Sequence, residues 1–166
     1  MKGTGIPHNG STRRIMSNRG FVEENNATRL EMGDLIGRLD ERSFKCRVGS
    51  GWSVSSLLCH LAFWDQRALF LLRAWQGGKF EIPALSSQSV DAINEAVQTI
   101  SQAVPGPAAA KLALDSAEAV DSQLAAISDE LTGQIVSAGL ERYLRRSIHR
   151  REHLQKIREA LDVQPM

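Results

Sequence analysis

The feature that most constrains the fold is the spacing of apolar residues between positions 53 and 75. An α-helix advances about 100° per residue, which places six of these residues on one narrow stripe: Leu57, Leu61, Trp64, Ala68, Leu71 and Trp75. Almost nowhere do β-branched side chains alternate every second residue, the pattern of a half-buried strand. The sequence therefore predicts an all-α protein whose helices pack as a bundle around one core.

Start and stop signals divide the chain into five predicted helices. Ser53 has the character of an N-cap, and Trp52 before it and Leu57 after it have the spacing of a hydrophobic staple. The stretch QGGKFEIP, with its paired glycines and a proline, ends the second helix. The predicted bounds are 21–43, 53–75, 86–104, 108–128, and from near Leu131 or Ser137 to about Leu161.

Composition limits the classes of function. The 166 residues carry a formal charge of +1, and acidic residues interleave with the arginines of the last helix, which disfavours a nucleic-acid partner. Asp65 and Arg67 interrupt the best apolar run, so no membrane span is expected. Cys46 and Cys59 do not have the spacing of a disulfide framework, which favours a reducing cytoplasm. Residues 1–20 are interpreted as a flexible leader or tag remnant and residues 21–166 as one helical domain.

Three histidines of the predicted domain are candidate metal ligands. His60 lies on the shoulder of the apolar stripe, where a packed imidazole with locally satisfied nitrogens is the alternative. His149 and His153 stand four residues apart, so both project from the same side of the last helix. A solvated polar face is the alternative for this pair. If the three meet, they form the protein half of a catalytic-type divalent site that leaves positions open.

The order and separation of these motifs resemble a known group of proteins. GWSVSSLLCHLAFWD, at 51–65, resembles the histidine helix of the DinB/YfiT-like superfamily of metalloenzymes, and HRREHLQKI, at 149–157, resembles its C-terminal HxxxH helix. SVDAINEAV, at 89–97, is similar to a stretch in the branch that contains mycothiol-dependent maleylpyruvate isomerases. The resemblance extends from about Phe21 to Leu161.

The resemblance implies a four-helix bundle in up-down-down-up order, often dimeric, in which His60, His149 and His153 hold nickel or zinc. Superfamily members with known activity include transferases and isomerases that use mycothiol, bacillithiol or glutathione, and a hydrolase. The isomerases carry an additional C-terminal domain that we do not recognise in this sequence, so their particular reaction is not expected.

Two functional hypotheses follow. In the first, a metal-dependent hydrolase or thiol transferase activates water or a low-molecular-weight thiol for attack on a small electrophile held near Trp64 and Phe63. The residues considered for supporting roles are Glu152 and Asp65 as bases or orienting groups, and Arg145, Arg146 and Arg150 as anion-attracting groups or as a solvated cationic face. In the second, the bundle is a non-catalytic, stress-associated metal-binding module, an interpretation that Cys46 as a fourth ligand would favour.

Overall fold

A computed structural model of the chain describes residues 19–163. It is mostly helical, with one small antiparallel hairpin, and so agrees with the all-α class. The elements are α1 (Gly20–Ile36), α2 (Glu41–Lys45), β1 (Arg47–Val48), β2 (Trp52–Ser53), α3 (Val54–Gln76), α4 (Ser87–Ser101), α5 (Gly106–Ala126), α6 (Asp129–Ser137), a 3-10 helix (Glu141–Tyr143) and α7 (Arg146–Val163). Apart from its last two positions, the leader predicted at 1–20 lies outside the described residues.

Serine caps begin the helices where the sequence predicts them. Ser53 Oγ accepts a hydrogen bond from the backbone N–H of Ser56, and Ser56 Oγ accepts one from the backbone N–H of Ser53. This reciprocal capping box satisfies two amide donors that the first turn of α3 leaves without helical partners. Ser86 caps α4 in a similar way, and Pro107 lies in the first turn of α5. The predicted starts of α3 and α4 are confirmed, and α5 begins two residues before its predicted start at 108.

The first predicted helix is interrupted and followed by a hairpin. The α1 helix ends at Ile36, and the carboxylate of Asp40 then accepts a hydrogen bond from the backbone N–H of Ser43 and caps a separate short helix. Strands β1 and β2 then pair in antiparallel register, with Val48 opposite Trp52. Gly49 and Gly51 have φ values of 60° and 88°, which L-residues with a Cβ rarely adopt, so the chain reverses there. The expectation of one helix through residue 43 is wrong.

The last predicted helix is also divided. Gly139, with φ of 69°, follows α6, and the 3-10 helix connects it to α7, which begins at Arg146. The left-handed conformation at Gly139 ends helical hydrogen bonding and redirects the chain. As a result, His149 and His153 lie in the first half of α7.

The long helices pack against one another to form the body of the fold. The α1 helix packs on α5 and α7, and α3 packs on the same two helices, while α4 packs on α3. Buried apolar residues form two clusters, of which one includes Leu61 and the other begins on α3 at Ala68. Asp65 lies between them on α3 and is 1% exposed. A buried charged layer therefore separates two apolar layers.

No helix within residues 19–163 combines the length and the apolar character that crossing a membrane requires.

Candidate metal centre

Packing of α3 against α7 brings the three predicted histidines together. His149 Nε2 lies 3.1 Å from His60 Nε2 and 3.2 Å from His153 Nε2. His60 is buried, whereas His149 and His153 are half-buried. Within the described part of the chain these three form the only group of histidine, cysteine or acidic side chains whose geometry suits a metal ion.

The nitrogen geometry fits a shared divalent ion. Imidazole nitrogens at about 2.0–2.1 Å from one ion, at angles between octahedral and tetrahedral, are about 2.9–3.4 Å apart. The two measured Nε2 separations lie in this interval. In addition, a neutral ring nitrogen carries either one proton or one lone pair, so His149 Nε2 cannot form a good in-plane hydrogen bond with both neighbours. A cation that accepts all three lone pairs removes this conflict.

The histidines are held in the neutral form that metal binding requires. Burial lowers the pKa of His60 to about 3, and the charges of His153 and other neighbours act in the same direction. Burial, and then the nearby Arg146 guanidinium, lowers the pKa of His149 to about 2. Burial lowers the pKa of His153 to about 4. Each ring therefore keeps one nitrogen lone pair free of a proton at neutral pH.

A buried ion-pair layer supports His149. The two carboxylate oxygens of Asp65 accept hydrogen bonds from Arg146 Nε at 2.8 Å and from Arg150 Nε at 2.9 Å. Arg150 also makes a bidentate pair with Asp121, at 2.8 and 2.9 Å. Arg146 Nη2 lies 3.3 Å from His149 Nδ1, so Asp65 is linked to His149 through one guanidinium. This layer fixes the part of α7 that carries His149.

The histidines line two cavities. The arginine cavity, of about 510 Å³, is lined by His60, His149 and His153 together with Trp64, Tyr143 and five cationic side chains. The hairpin cavity, of about 650 Å³, is lined by His60 and His153 together with Trp52, Leu57 and residues of the β1–β2 turn. Small molecules can therefore approach the histidines from two sides.

Aromatic side chains pack against His60. The Trp52 ring contacts His60 edge-on at 5.2 Å between centroids, and the Trp64 ring lies at 6.3 Å. Trp64 Nε1 donates to Asn94 Oδ1 at 3.0 Å, which holds the indole in place. Trp64 forms part of the wall of the arginine cavity, and Trp52, the residue before the N-cap of α3, also contacts His60.

The other residues predicted for the site line different cavities or pair with other side chains. Phe63 packs on Trp64 but lines a separate apolar groove with Cys59. Glu152 lines the arginine cavity, and its hydrogen bond from Lys156 lowers the pKa of its carboxyl group. Arg145 also lines this cavity and pairs with Glu24 at 3.2 Å. Cys46 Sγ contacts the backbone oxygen of Arg42 and does not join the histidine group.

Sequence reasoning missed the burial of two arginines. Arg146 is 7% exposed and Arg150 is 0% exposed, so a solvated cationic face describes neither of them. The spacing of these residues could have indicated this burial, because Arg146, His149, Arg150 and His153 fall on one face of a helix at intervals of three and four. If His149 and His153 face a buried metal site, arginines on the same face require buried carboxylate partners.

Comparison with known proteins places the chain in a family. Residues 28–150 match the family described as mycothiol maleylpyruvate isomerase N-terminal domain, so the match includes His60 and His149 and ends before His153. Neither the curated proteins nor the solved structures compared contain a significant match. The chain belongs to the mycothiol maleylpyruvate isomerase N-terminal domain family, within the DinB/YfiT-like superfamily.

Proposed function

We propose that this chain is a divalent-metal-dependent enzyme in which His60, His149 and His153 hold the ion. The observation that carries the proposal is the convergence of three neutral imidazole Nε2 atoms on the wall of an open cavity. Structural zinc sites normally close with four protein ligands, whereas a site with three leaves a position for a reactant. Nickel or zinc is the ion we propose, because imidazole suits both.

The proposed reaction is attack by water or by a low-molecular-weight thiol on a small electrophile. When bound, such an ion lowers the pKa of a coordinated water or thiol, so that either becomes nucleophilic near neutral pH. Trp64 forms a fixed wall for the electrophile. Glu152 is proposed as a proton acceptor because its carboxylate lines the same cavity, although the hydrogen bond from Lys156 that lowers its pKa also weakens it as a base.

Asp65 is proposed as an orienting residue. Both of its carboxylate oxygens are engaged by guanidinium groups, and it reaches His149 only through Arg146. Such a carboxylate fixes the direction of a ligand and does not need to exchange protons with a substrate.

The two cavities support the thiol-dependent form of the reaction. Hydrolysis requires one organic substrate, whereas thiol transfer requires two molecules to meet. The arginine cavity and the hairpin cavity share His60, His153 and Asn94, so each could deliver one reactant to the same ion. The family description names mycothiol, and we propose a thiol of this kind as the second reactant.

Three further features are proposed at the level of the whole protein. The contacts of α1 and α3 with α5 and α7 support a four-helix bundle in up-down-down-up order. A homodimer and a cytoplasmic location are predictions from the sequence and from the superfamily resemblance.

Elemental analysis tests the metal site. Protein purified without a His tag should contain about one nickel or zinc per chain, and His60→Ala and His149→Ala should each lose it while keeping their helical circular dichroism. His8→Ala, which changes a histidine outside the described residues, is the matched control and should retain the ion. Wild-type protein that takes up no metal even after reconstitution would contradict the proposal.

Turnover separates an enzyme from a metal-binding module. Metal-loaded protein is assayed for conjugation of mycothiol, bacillithiol and glutathione to a panel of electrophiles. We expect conjugation that rises in proportion to metal content and is absent in His149→Ala. A stoichiometric site with no metal-dependent turnover of thiols or water would favour the non-catalytic module.

A further inference from the structure

The arginine cavity contains more cationic charge than its neighbours neutralise. Five cationic side chains line it, and Glu152 is its only acidic one. Arg145 pairs with Glu24, Arg146 with Asp65 and Lys156 with Glu152. The remaining two, Arg67 and Arg142, form no ion pair with any residue in the range 19–163.

Arg67 is held in one position although it lacks a carboxylate partner. Its Nη1 donates to the Tyr143 hydroxyl at 2.9 Å, and its guanidinium carbon lies 5.5 Å from the centroid of the Trp64 ring. Arg142 lies against the same tyrosine, with its guanidinium carbon 5.2 Å from the ring centroid. A guanidinium offers five N–H donors, and Arg67 uses one of them on Tyr143. Stacking therefore fixes this cation and leaves most of its donors unused.

The cavity also has an apolar side. Leu85 and Val90 line it from the start of α4 and the segment before it, and Ile148 lines it from α7. Ile148 is 58% exposed, so its side chain presents apolar surface that a ligand could cover.

We infer that Arg67 and Arg142 bind the carboxylate of an amphipathic substrate whose apolar body lies against Leu85, Val90 and Ile148. Planar guanidinium groups match the two oxygens of a carboxylate and give shorter, stronger hydrogen bonds than neutral donors. This inference rests on the proposed function only for the placement of the substrate's reactive end, which would extend toward the histidines on the same cavity wall. It assigns the substrate class as small organic carboxylates with an aliphatic or aromatic body.

Calorimetric binding to the metal-free protein tests the subsite separately from the metal. EDTA-treated protein is titrated with hexanoate, with hexanamide of nearly the same shape but no charge, and with acetate, which lacks the apolar body. Hexanoate should bind saturably, and both other probes should bind at least about tenfold more weakly. Absence of saturable hexanoate binding, or equal binding of hexanamide, would overturn the inference.

Variants locate the subsite. Arg67→Gln and Arg142→Gln should each raise the Kd for hexanoate about tenfold. Arg151→Gln is the matched control, because Arg151 is an exposed arginine of α7 that does not line the cavity, and its Kd should equal that of wild type. Arg142 is exposed, so its variant remains informative if Arg67→Gln fails to fold. Hexanoate binding that survives the Arg142 substitution unchanged would overturn the assignment. Hexanoate binding in a protein that takes up no metal would leave the subsite standing and remove the proposed enzyme.

Discussion

His149 is the residue at which the histidine cluster and the buried charges meet. Its Nε2 faces the other two histidines, and its Nδ1 faces Arg146. A guanidinium can only donate, so in this arrangement Nδ1 is the acceptor and the neutral ring carries its proton on Nε2. An ion held at Nε2 would require the other neutral tautomer, with the proton on Nδ1, so the contact between Nδ1 and Arg146 would have to change. His149 therefore links the geometry of the proposed metal site to the buried ion-pair layer.

The depressed histidine pKa values predict how stability depends on pH. For His60 the pKa falls from 6.5 to about 3 on folding. Below pH 6.5 the unfolded chain gains a proton that the folded chain does not, so the free energy of unfolding decreases as the pH falls from 6.5 toward 3. The expected loss is about 1.4 kcal/mol per pH unit for each such histidine. Urea unfolding of metal-free protein at pH 7.5, 6.0 and 5.0 measures it.

Replacing one histidine isolates its part of this effect. His60→Gln removes a titrating group and keeps a polar side chain, so its free energy of unfolding should fall less steeply with decreasing pH than that of wild type. An equal steepness in both proteins would show that His60 has the same pKa in the folded and unfolded states, contrary to the burial that lowers it.

At the scale of elements, α3 and α7 are joined by buried charge as well as by apolar contact. Asp65 on α3 accepts from Arg146 and Arg150 on α7, and Arg150 continues to Asp121 on α5. Replacing a buried pair with apolar groups is often tolerated, whereas removing one partner leaves charges without compensation. The layer therefore makes the relative position of the three helices depend on a few polar atoms.

Asp65→Asn should be strongly destabilising. The variant keeps the size of the side chain but leaves two buried guanidinium groups facing a neutral amide, which costs about 3–5 kcal/mol. Urea unfolding monitored by circular dichroism gives the free energy of unfolding. Asp115→Asn is the matched control, because Asp115 pairs with Lys111 on the exposed face of α5, where the expected change is about 0.3–0.5 kcal/mol. Similar losses in the two variants would contradict the role of the buried layer.

At the scale of the whole molecule, the short helix α2 packs against the start of α5. Phe44 packs against the apolar cluster that contains Leu58 and Leu154. A Cβ added to Gly106, the first residue of α5, would lie 2.6 Å from Phe44 Cβ. Such a contact cannot be relieved by rotating the end of a side chain, so α2 or α5 would have to shift. Because Gly106 has no side chain, the connecting segment 37–53 can pack closely against the helices.

Gly106→Ala should therefore destabilise the protein, although alanine favours helices over glycine. Overpacking of this kind costs about 1–3 kcal/mol, more than the gain in helix propensity of about 1 kcal/mol or less. Gly133→Ala is the matched control, since Gly133 is also helical and a Cβ there meets no atom within 4 Å. We expect it to stabilise the protein by about 0.4–1 kcal/mol. Thermal unfolding should shift in opposite directions for the two variants, and a shift in the same direction would exclude the steric explanation.

The candidate site was predictable to the extent that it depends on local spacing. His149 and His153 share a side of α7 because a helix repeats every 3.6 residues, and Ser53 caps α3 because its side chain reaches an amide three residues later. His60 was a candidate third ligand from its position on the shoulder of the apolar stripe, and the superfamily resemblance implied the same three residues. The two helix breaks, at 37–40 and 138–145, were not predicted. They depend on a side-chain cap and on a left-handed glycine, both of which result from competition among local hydrogen bonds. The spacing of apolar residues carries no information about that competition.

By itself, the sequence determined the helical class, the starts of α3 and α4 and the side of α7 on which the histidine pair lies, since these depend on neighbours within about one helical turn. Only the tertiary structure decided that His60 Nε2 lies 3.1 Å from His149 Nε2 across a separation of 89 residues. It also decided that Arg146 and Arg150 are buried against Asp65, and that Arg67 and Arg142 have no carboxylate partner among residues 19–163. Burial and charge pairing depend on which surfaces meet after packing, and the pKa values and the ligand geometry follow from that packing.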